Sequence, residues 1–147
     1  MRKLLIAMLI SGTLGATGLG QFTLGVGTQI TLPALAGVSL RFWATPSVGL
    51  EGVAFVLSGG EGQVNGLLSG RGLARVASGE GASFYLAGGA SALLPNADIL
   101  WHLCGGIEVF LPFAPALALN TEFGFAFNPD GWSMAFGLGI HYYFGKP

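Results

Sequence analysis

From Gln21 to Phe144 the chain repeats one pattern, with apolar or aromatic residues at every second position and glycine, alanine or a polar residue between them. The last two segments show it best. Leu117, Leu119, Phe123, Phe125 and Phe127 alternate with Ala118, Asn120, Glu122, Gly124 and Ala126. Met134, Phe136, Leu138, Ile140, Tyr142 and Phe144 then alternate with Ala135, Gly137, Gly139, His141 and Tyr143. A strand sends successive side chains to opposite faces, so each segment has one apolar face and one small or polar face. No segment shows the 3.6-residue period of a helix. The chain is therefore expected to be all-β.

Counted this way, the sequence predicts eight strands, at about 21–32, 38–45, 48–58, 67–77, 82–93, 99–111, 116–127 and 132–144. The breaks between them carry turn chemistry: Pro46-Ser47, Ser78-Gly79-Glu80-Gly81, Leu94 to Asp98, Pro112 to Pro115, and Asn128-Pro129-Asp130-Gly131. The third and fourth strands are the least regular, because Val53, Phe55 and Leu73 break the alternation.

Composition decides what such strands build. Charged residues make up 9% of the chain, against about 25% in ordinary soluble domains. Hydrophobic residues reach 52%, too many for a disordered chain, glycine supplies 26 positions, and past residue 20 a glycine or a polar residue interrupts every apolar run. A membrane helix needs about 20 consecutive apolar residues. A tilted membrane strand needs only about 9–11, and bacterial barrels use an even number of antiparallel strands. One face of each strand carries more aliphatic and aromatic surface than a narrow barrel could hold inside. That face is expected to meet lipid, which gives an eight-stranded antiparallel up-and-down transmembrane β-barrel over residues 21–147.

The charges agree with this parity. Arg41, Glu51, Arg71, Arg75, Glu108 and Glu122 all fall on the face away from lipid, and Glu61, Glu80, Asp98 and Asp130 fall in turns or loops. Three cations and three anions inside predict a self-neutralising charge network. Arg41 and Glu51 are equidistant from Pro46, so a tight turn there sets them opposite each other on one face. Gln29, Trp43, Tyr85, Phe110, His141 and Tyr143 share the inward parity, and an eight-stranded barrel is just wide enough for side chains to fill. Trp101, Phe127 and Trp132 fall at one end of the strands and Phe42, Tyr142 and Phe144 at the other, as two aromatic girdles would.

The first 20 residues form an address. Met1-Arg2-Lys3 is basic, Leu4 to Ile10 is apolar, and small residues run from Ser11 to Gly20, the plan of a cleaved signal peptide. Its removal would leave four of the six basic residues against seven acidic ones, a net charge of −3 with no basic patch for nucleic acid. Cys104 is the single cysteine, so no internal disulfide can form.

With the strands in place, the chain resembles the small eight-stranded outer-membrane barrels of the OmpA/OmpX type. Arg41-Phe42-Trp43-Ala44-Thr45-Pro46-Ser47-Val48-Gly49-Leu50-Glu51-Gly52 is similar to that family's strand–turn–strand segment, in which an Arg-aromatic pair precedes a short turn and an apolar-Glu-Gly strand. Gly139, Tyr142 and Phe144 resemble the C-terminal signal read by the barrel-assembly machinery, although Gly145-Lys146-Pro147 follow and Gly137 stands where a polar residue is usual. The resemblance implies a bacterial outer-membrane location, with membrane lipids and the assembly machinery as partners. It leaves the role open, since members serve as anchors, adhesion or defence factors, narrow pores and occasionally lipid-modifying enzymes.

Catalytic, cofactor and metal sites are not expected. His102 and Cys104 share a face, but two ligands do not complete a zinc site. Lipid-modifying barrels use a His with a Ser or Asp near the outer rim, and Ser91 could neighbour His102 across the Asn96 loop, with no acid fixed beside them. The glycine pairs Gly25/Gly27 and Gly137/Gly139 sit mid-strand and open no helix, so they match no phosphate loop. Three classes follow: a structural or envelope-interaction barrel with a filled lumen, a narrow pore for small solutes, and a lipid-modifying enzyme. The outer loops (around 32–37, 58–66, 94–98 and 128–131) are short and the lumen is filled, which favours the first. The purified protein is expected to be strand-rich in detergent and to migrate differently on gels before and after boiling. Far-ultraviolet circular dichroism dominated by helix would end the barrel assignment.

Overall fold

Eight strands close into a barrel in strict chain order in the computed structural model, which describes residues 22–32, 35–58, 64–96 and 98–144. They are β1 (Thr23–Leu32), β2 (Leu35–Trp43), β3 (Val48–Ser58), β4 (Val64–Gly79), β5 (Ala82–Leu94), β6 (Asp98–Leu111), β7 (Ala114–Asn128) and β8 (Gly131–Phe144). Every neighbouring pair is antiparallel, and β8 returns to pair with β1. The leader expected over residues 1–20, with Glu61, Lys146 and parts of the first three outer loops, lies outside the described residues.

Closure imposes a stagger. Starting at Tyr143 on β8, direct partners run through Gly25, Arg41, Glu51, Arg71, Gly89, His102 and Ala126 back to Ser133 on β8, ten residues further up the strand. With eight strands this shear corresponds to a tilt of about 40°. Arg41, Glu51 and Arg71 are thus consecutive members of one cross-strand row.

The outward face is apolar along the whole barrel, with Leu40, Leu50, Leu86, Leu103, Phe123 and Leu138 among its exposed side chains. The inward face holds Arg41, Glu108 and His141, each 0% exposed. Among the described residues the charged side chains are inside the barrel or at its ends, with Glu80, Asp98 and Asp130 exposed at strand ends and turns.

Several boundaries move. β2 begins at Leu35 rather than near Val38, and β4 spans 16 residues where 11 were expected, because its ladder with β3 continues to Ser58–Val64. The turn expected over Pro112 to Pro115 is only Pro112-Phe113, and β7 takes in Pro115 where the β6–β7 register shifts and no ladder bond is required of it. Val53, Phe55 and Leu73 do not break the strands at all. All three are buried, facing inward, because the lumen accepts apolar as well as polar groups. Phe55 and Val53 pack with Leu67, while Leu73 joins Trp43, Tyr85 and Tyr143.

Inward glycines let backbones and rings approach. A Cβ on Gly124 would lie 2.2 Å from the Leu103 carbonyl oxygen and 2.5 Å from Cys104 Cα, both backbone atoms that cannot swing aside. A Cβ on Gly70, which points outward, would meet nothing within 4 Å. Gly124→Ala should therefore destabilise the folded barrel by about 1–3 kcal/mol, the usual cost of overpacking. Gly70→Ala should change it by less than about 0.5 kcal/mol. Urea unfolding in detergent measures both, and a larger cost at Gly70 than at Gly124 would mean that the two faces are assigned the wrong way round.

Candidate functional site

The six inward charges form one connected network of alternating sign, in which Arg41 Nη2 also lies 3.5 Å from Glu122 Oε1. Arg75 Nη2 lies 3.8 Å from Glu108 Oε2, and Arg41 Nη1 donates to Glu108 Oε1 at 2.8 Å. Arg41 Nη2 donates to Glu51 Oε2 at 3.0 Å, and Arg71 Nε donates to the same oxygen at 2.8 Å. Arg71 then grips Glu122 as a fork, Nη1 to Oε2 and Nη2 to Oε1, each at 2.7 Å. Burying charge in a place with little water is costly unless each ion is paired and hydrogen-bonded. Each of the six has an ion partner and at least one hydrogen bond, and the pairing is loosest at Arg75 and Glu108, where Arg75 Nη2 and Glu108 Oε2 make no hydrogen bond.

Two features of the sequence make this possible. The turn at Pro46 sets Arg41 across from Glu51, and the β3–β4 register sets Glu51 across from Arg71. Thr45 holds the turn, its side-chain oxygen accepting from the backbone N–H groups of Ser47 and Val48 at 3.2 and 2.9 Å. Glu108 and Glu122 arrive from the opposite wall, on β6 and β7.

Neutral groups complete the network. Tyr85 donates to Glu122 Oε1 and Tyr143 to Glu108 Oε1, both at 2.5 Å. The Arg41 guanidinium also lies over the Tyr85 ring, 4.9 Å from its centroid. Gln29 donates to Glu122 Oε2 at 2.7 Å and accepts from Arg71 Nη2 at 3.1 Å. Ser39 donates to Glu51 Oε1. His141 joins through Nε2 to Ser39 at 2.9 Å and through Nδ1 to Asn120 at 3.1 Å. Ser39 and Asn120 belong to the site although their parity alone gave no sign of it, since small and amide side chains are common on inward faces without a partner of this kind. Arg75 stands at the edge of the network: it donates to the Pro46 carbonyl at 3.0 Å and lies 4.2 Å over the Trp43 ring.

The candidate chemistry outside the network is sparse. Ser91 Oγ and His102 Nδ1 are 3.4 Å apart, so the structure does bring them together. Nucleophilic catalysis by such a pair needs a third group to orient the histidine, and no carboxylate among the described residues is hydrogen-bonded to His102. Cys104 faces inward and its Sγ accepts from Arg71 Nη1 at 3.6 Å. Among the described residues no three His, Cys, Asp or Glu side chains are grouped to hold a metal ion.

Outward aromatics stand at both ends, with Phe123 and Phe136 paired between them. Trp101 pairs across strands with Phe127, and Phe127 with Trp132. Phe125 meets the Trp132 ring edge-on at 5.6 Å. At the end bearing residues 22 and 144, Phe22 stacks on Phe42 at 5.7 Å and Tyr142 meets Phe144 at 5.1 Å. Gly139 lies inward against Asn120, where a Cβ would sit 2.4 Å from its Oδ1.

No protein-family model matches the chain, and no curated protein matches it. Solved structures do. The N-terminal β-barrel domain of Pseudomonas aeruginosa OprF superposes with a TM-score of 0.66 at 14% identity, over 87% of this chain and 100% of that one. A de novo designed transmembrane β-barrel gives 0.60 at 16% identity, over 87% and 98% of the two chains. The Yersinia pestis outer membrane protein Ail gives 0.59 at 12% identity, over 85% and 99%. At these identities the shared property is the fold, an eight-stranded transmembrane β-barrel.

A double-mutant cycle tests the row at the centre of the network. Glu51→Gln leaves Arg41 and Arg71 facing each other with their shared anion gone, and should cost about 3–5 kcal/mol of folding stability in detergent. Arg41→Gln/Glu51→Gln should cost less than the sum of the single changes, with a coupling of about 0.5–3 kcal/mol. It should not restore the parent, because Glu108 and Arg71 each still lose a partner. Strict additivity would separate the two residues and require the Pro46 turn to be redrawn.

Proposed function

We propose that the chain is an integral barrel of the bacterial outer membrane whose filled lumen serves a structural or envelope-interaction role. The observation that carries this is the cross-barrel ion network: Arg41, Glu51, Arg71 and Glu122, with Tyr85 and Gln29, bridge β1 to β7 and pair each of these charges with another across the lumen. The outward apolar belt supports insertion in lipid, and the likeness in fold to Ail supports the outer membrane as the bilayer. In this reading Trp101, Phe127 and Trp132 mark the outer interface and Phe42, Tyr142 and Phe144 the periplasmic one. The β8 residues Gly139, Tyr142 and Phe144 are then the part offered to the assembly machinery before β8 closes on β1.

Permeation would require the network to open, and each ion freed from its partner would face the cost of standing alone. The purified barrel should therefore give no steady unit conductance in planar bilayers. Arg71→Ala/Glu122→Ala, which removes the fork at the waist, should produce measurable current if it still folds. A well-defined conductance in the parent protein would favour the narrow pore over the closed barrel.

A further inference from the structure

The network divides the lumen into unequal halves. Toward the termini, Trp43, Leu73, Tyr85, Ala118 and Tyr143 fill the space. Away from the termini lies a cavity of about 310 Å³ with Arg71, Gln29 and Glu122 as its floor. This reaches the size of small-molecule sites, which combine apolar walls with few polar groups.

Its two walls differ. On β3 to β6, Val53, Phe55 and Leu67 form a buried apolar cluster, with Leu100 packed against it. On β7 and β8 the inward positions are Ala126, Ser133, Ala135 and Gly137, so that wall sends almost nothing into the space. The cavity exists because large apolar residues on one side face small residues on the other. Such a surface holds water poorly.

The floor offers no charge. Every N–H of Arg71 is used, Nε by Glu51, Nη1 by Glu122 and Cys104, Nη2 by Gln29 and Glu122. Both oxygens of Glu122 are taken by Arg71, Tyr85 and Gln29. What stays within reach is neutral: the hydroxyls of Thr31, Ser69 and Ser133, and the pair Ser91 and His102, joined by a long hydrogen bond of 3.4 Å. A neutral guest with one hydroxyl-like group is therefore favoured over an anion or a cation.

The wall is also lowest on one side. β1 and β2 span 10 and 9 residues, whereas β4 to β8 span 13 to 16. The last β1–β8 pair is Leu32–Phe136, so Gly131 to Ala135 of β8 rise beyond the end of β1. Phe136 lies four residues below Trp132, about 13 Å along the strand and on the bilayer side of that aromatic ring. Among the described residues no β1 partner covers Gly131 to Ala135, on the side of the cavity that faces the bilayer.

We propose that this half of the lumen binds a neutral aliphatic molecule, its chain against Val53, Phe55, Leu67 and Leu100 and its one polar group at Ser91 and His102. The chain belongs either to a free small amphiphile or to a membrane lipid. The full barrel, with Leu and Val methyl groups labelled, is placed in nanodiscs of chain-deuterated phosphatidylcholine and titrated with protonated 1-octanol. Intermolecular NOEs from octanol to the Val53, Leu67 and Leu100 methyls that saturate with concentration support the proposal with a free amphiphile as guest. A second sample in chain-protonated lipid without octanol reads the other source: NOEs from lipid chains to the same methyls assign the guest to the bilayer. Ala135→Leu, which fills the cavity from its thin wall, should abolish these NOEs while outward Leu40 and Leu50 keep theirs as evidence of folding. Water contacts alone at the three methyls in both samples, or guest NOEs that survive Ala135→Leu, would overturn it.

Discussion

A barrel whose outer face is given to lipid must settle its polar groups inside, and in this chain one row of three residues sets the terms. Arg41, Glu51 and Arg71 stand on adjacent strands as direct cross-strand partners, so their charges alternate without any strand having to bend. Glu51 is the centre of that row, shared by two guanidiniums. Placing it there requires a sharp turn at Pro46, an inward parity on β2 and β3 together, and a β3–β4 register correct to the residue. A slip of one position would turn each side chain to the opposite face and set a charge in lipid, at a cost of about 2–4 kcal/mol near the midplane for a basic group. The network therefore specifies register as much as it contributes stability.

The rest of the lumen is organised around that row. On the side of the termini, aromatic hydroxyls reach back to the anions: Tyr143 to Glu108 and Tyr85 to Glu122. Each ring fills volume with its body and satisfies a carboxylate with its tip. Inward glycines make room for these rings; a Cβ on Gly106 would lie 2.4 Å from Tyr85 Cζ, and one on Gly25 2.6 Å from Tyr143 Cε1. Beyond the row, no such rings stand on β7 and β8, and the space stays open. Filled and open halves thus follow from the same rule, that a large inward residue needs a small one opposite.

Much of this was legible in the sequence, for a physical reason. Period-two alternation fixes which face a residue occupies, and so parity alone placed Arg41, Glu51, Arg71, Arg75, Glu108 and Glu122 together inside. Symmetry about Pro46 added one contact. Parity cannot supply height, which depends on the stagger accumulated around eight strands, and the sequence does not display that stagger. Hence the pairing of Arg71 with Glu122 and of Arg41 with Glu108, from opposite walls, came only with the closed barrel. Val53, Phe55 and Leu73 failed for a different reason. The alternation assigns apolar residues to lipid, and these three are apolar residues in the lumen, where neighbours such as Leu67 and Trp43 make them welcome.

The comparisons sharpen where this protein's individuality lies. Natural barrels and a designed one share the fold at 12–16% identity, so the outward pattern and the strand count demand little of any particular residue. Outward positions need only be apolar, and many side chains satisfy that equally. Inward positions are held to a stricter standard, since each must match a partner several strands away in size, charge and height. Changing Phe123 to Leu alters a contact with lipid; changing Glu122 releases Arg71, Tyr85 and Gln29 together. Specific function in a barrel this small is therefore expected to be written inside. A region of this lumen that the described side chains leave unfilled is the apolar space above Arg71.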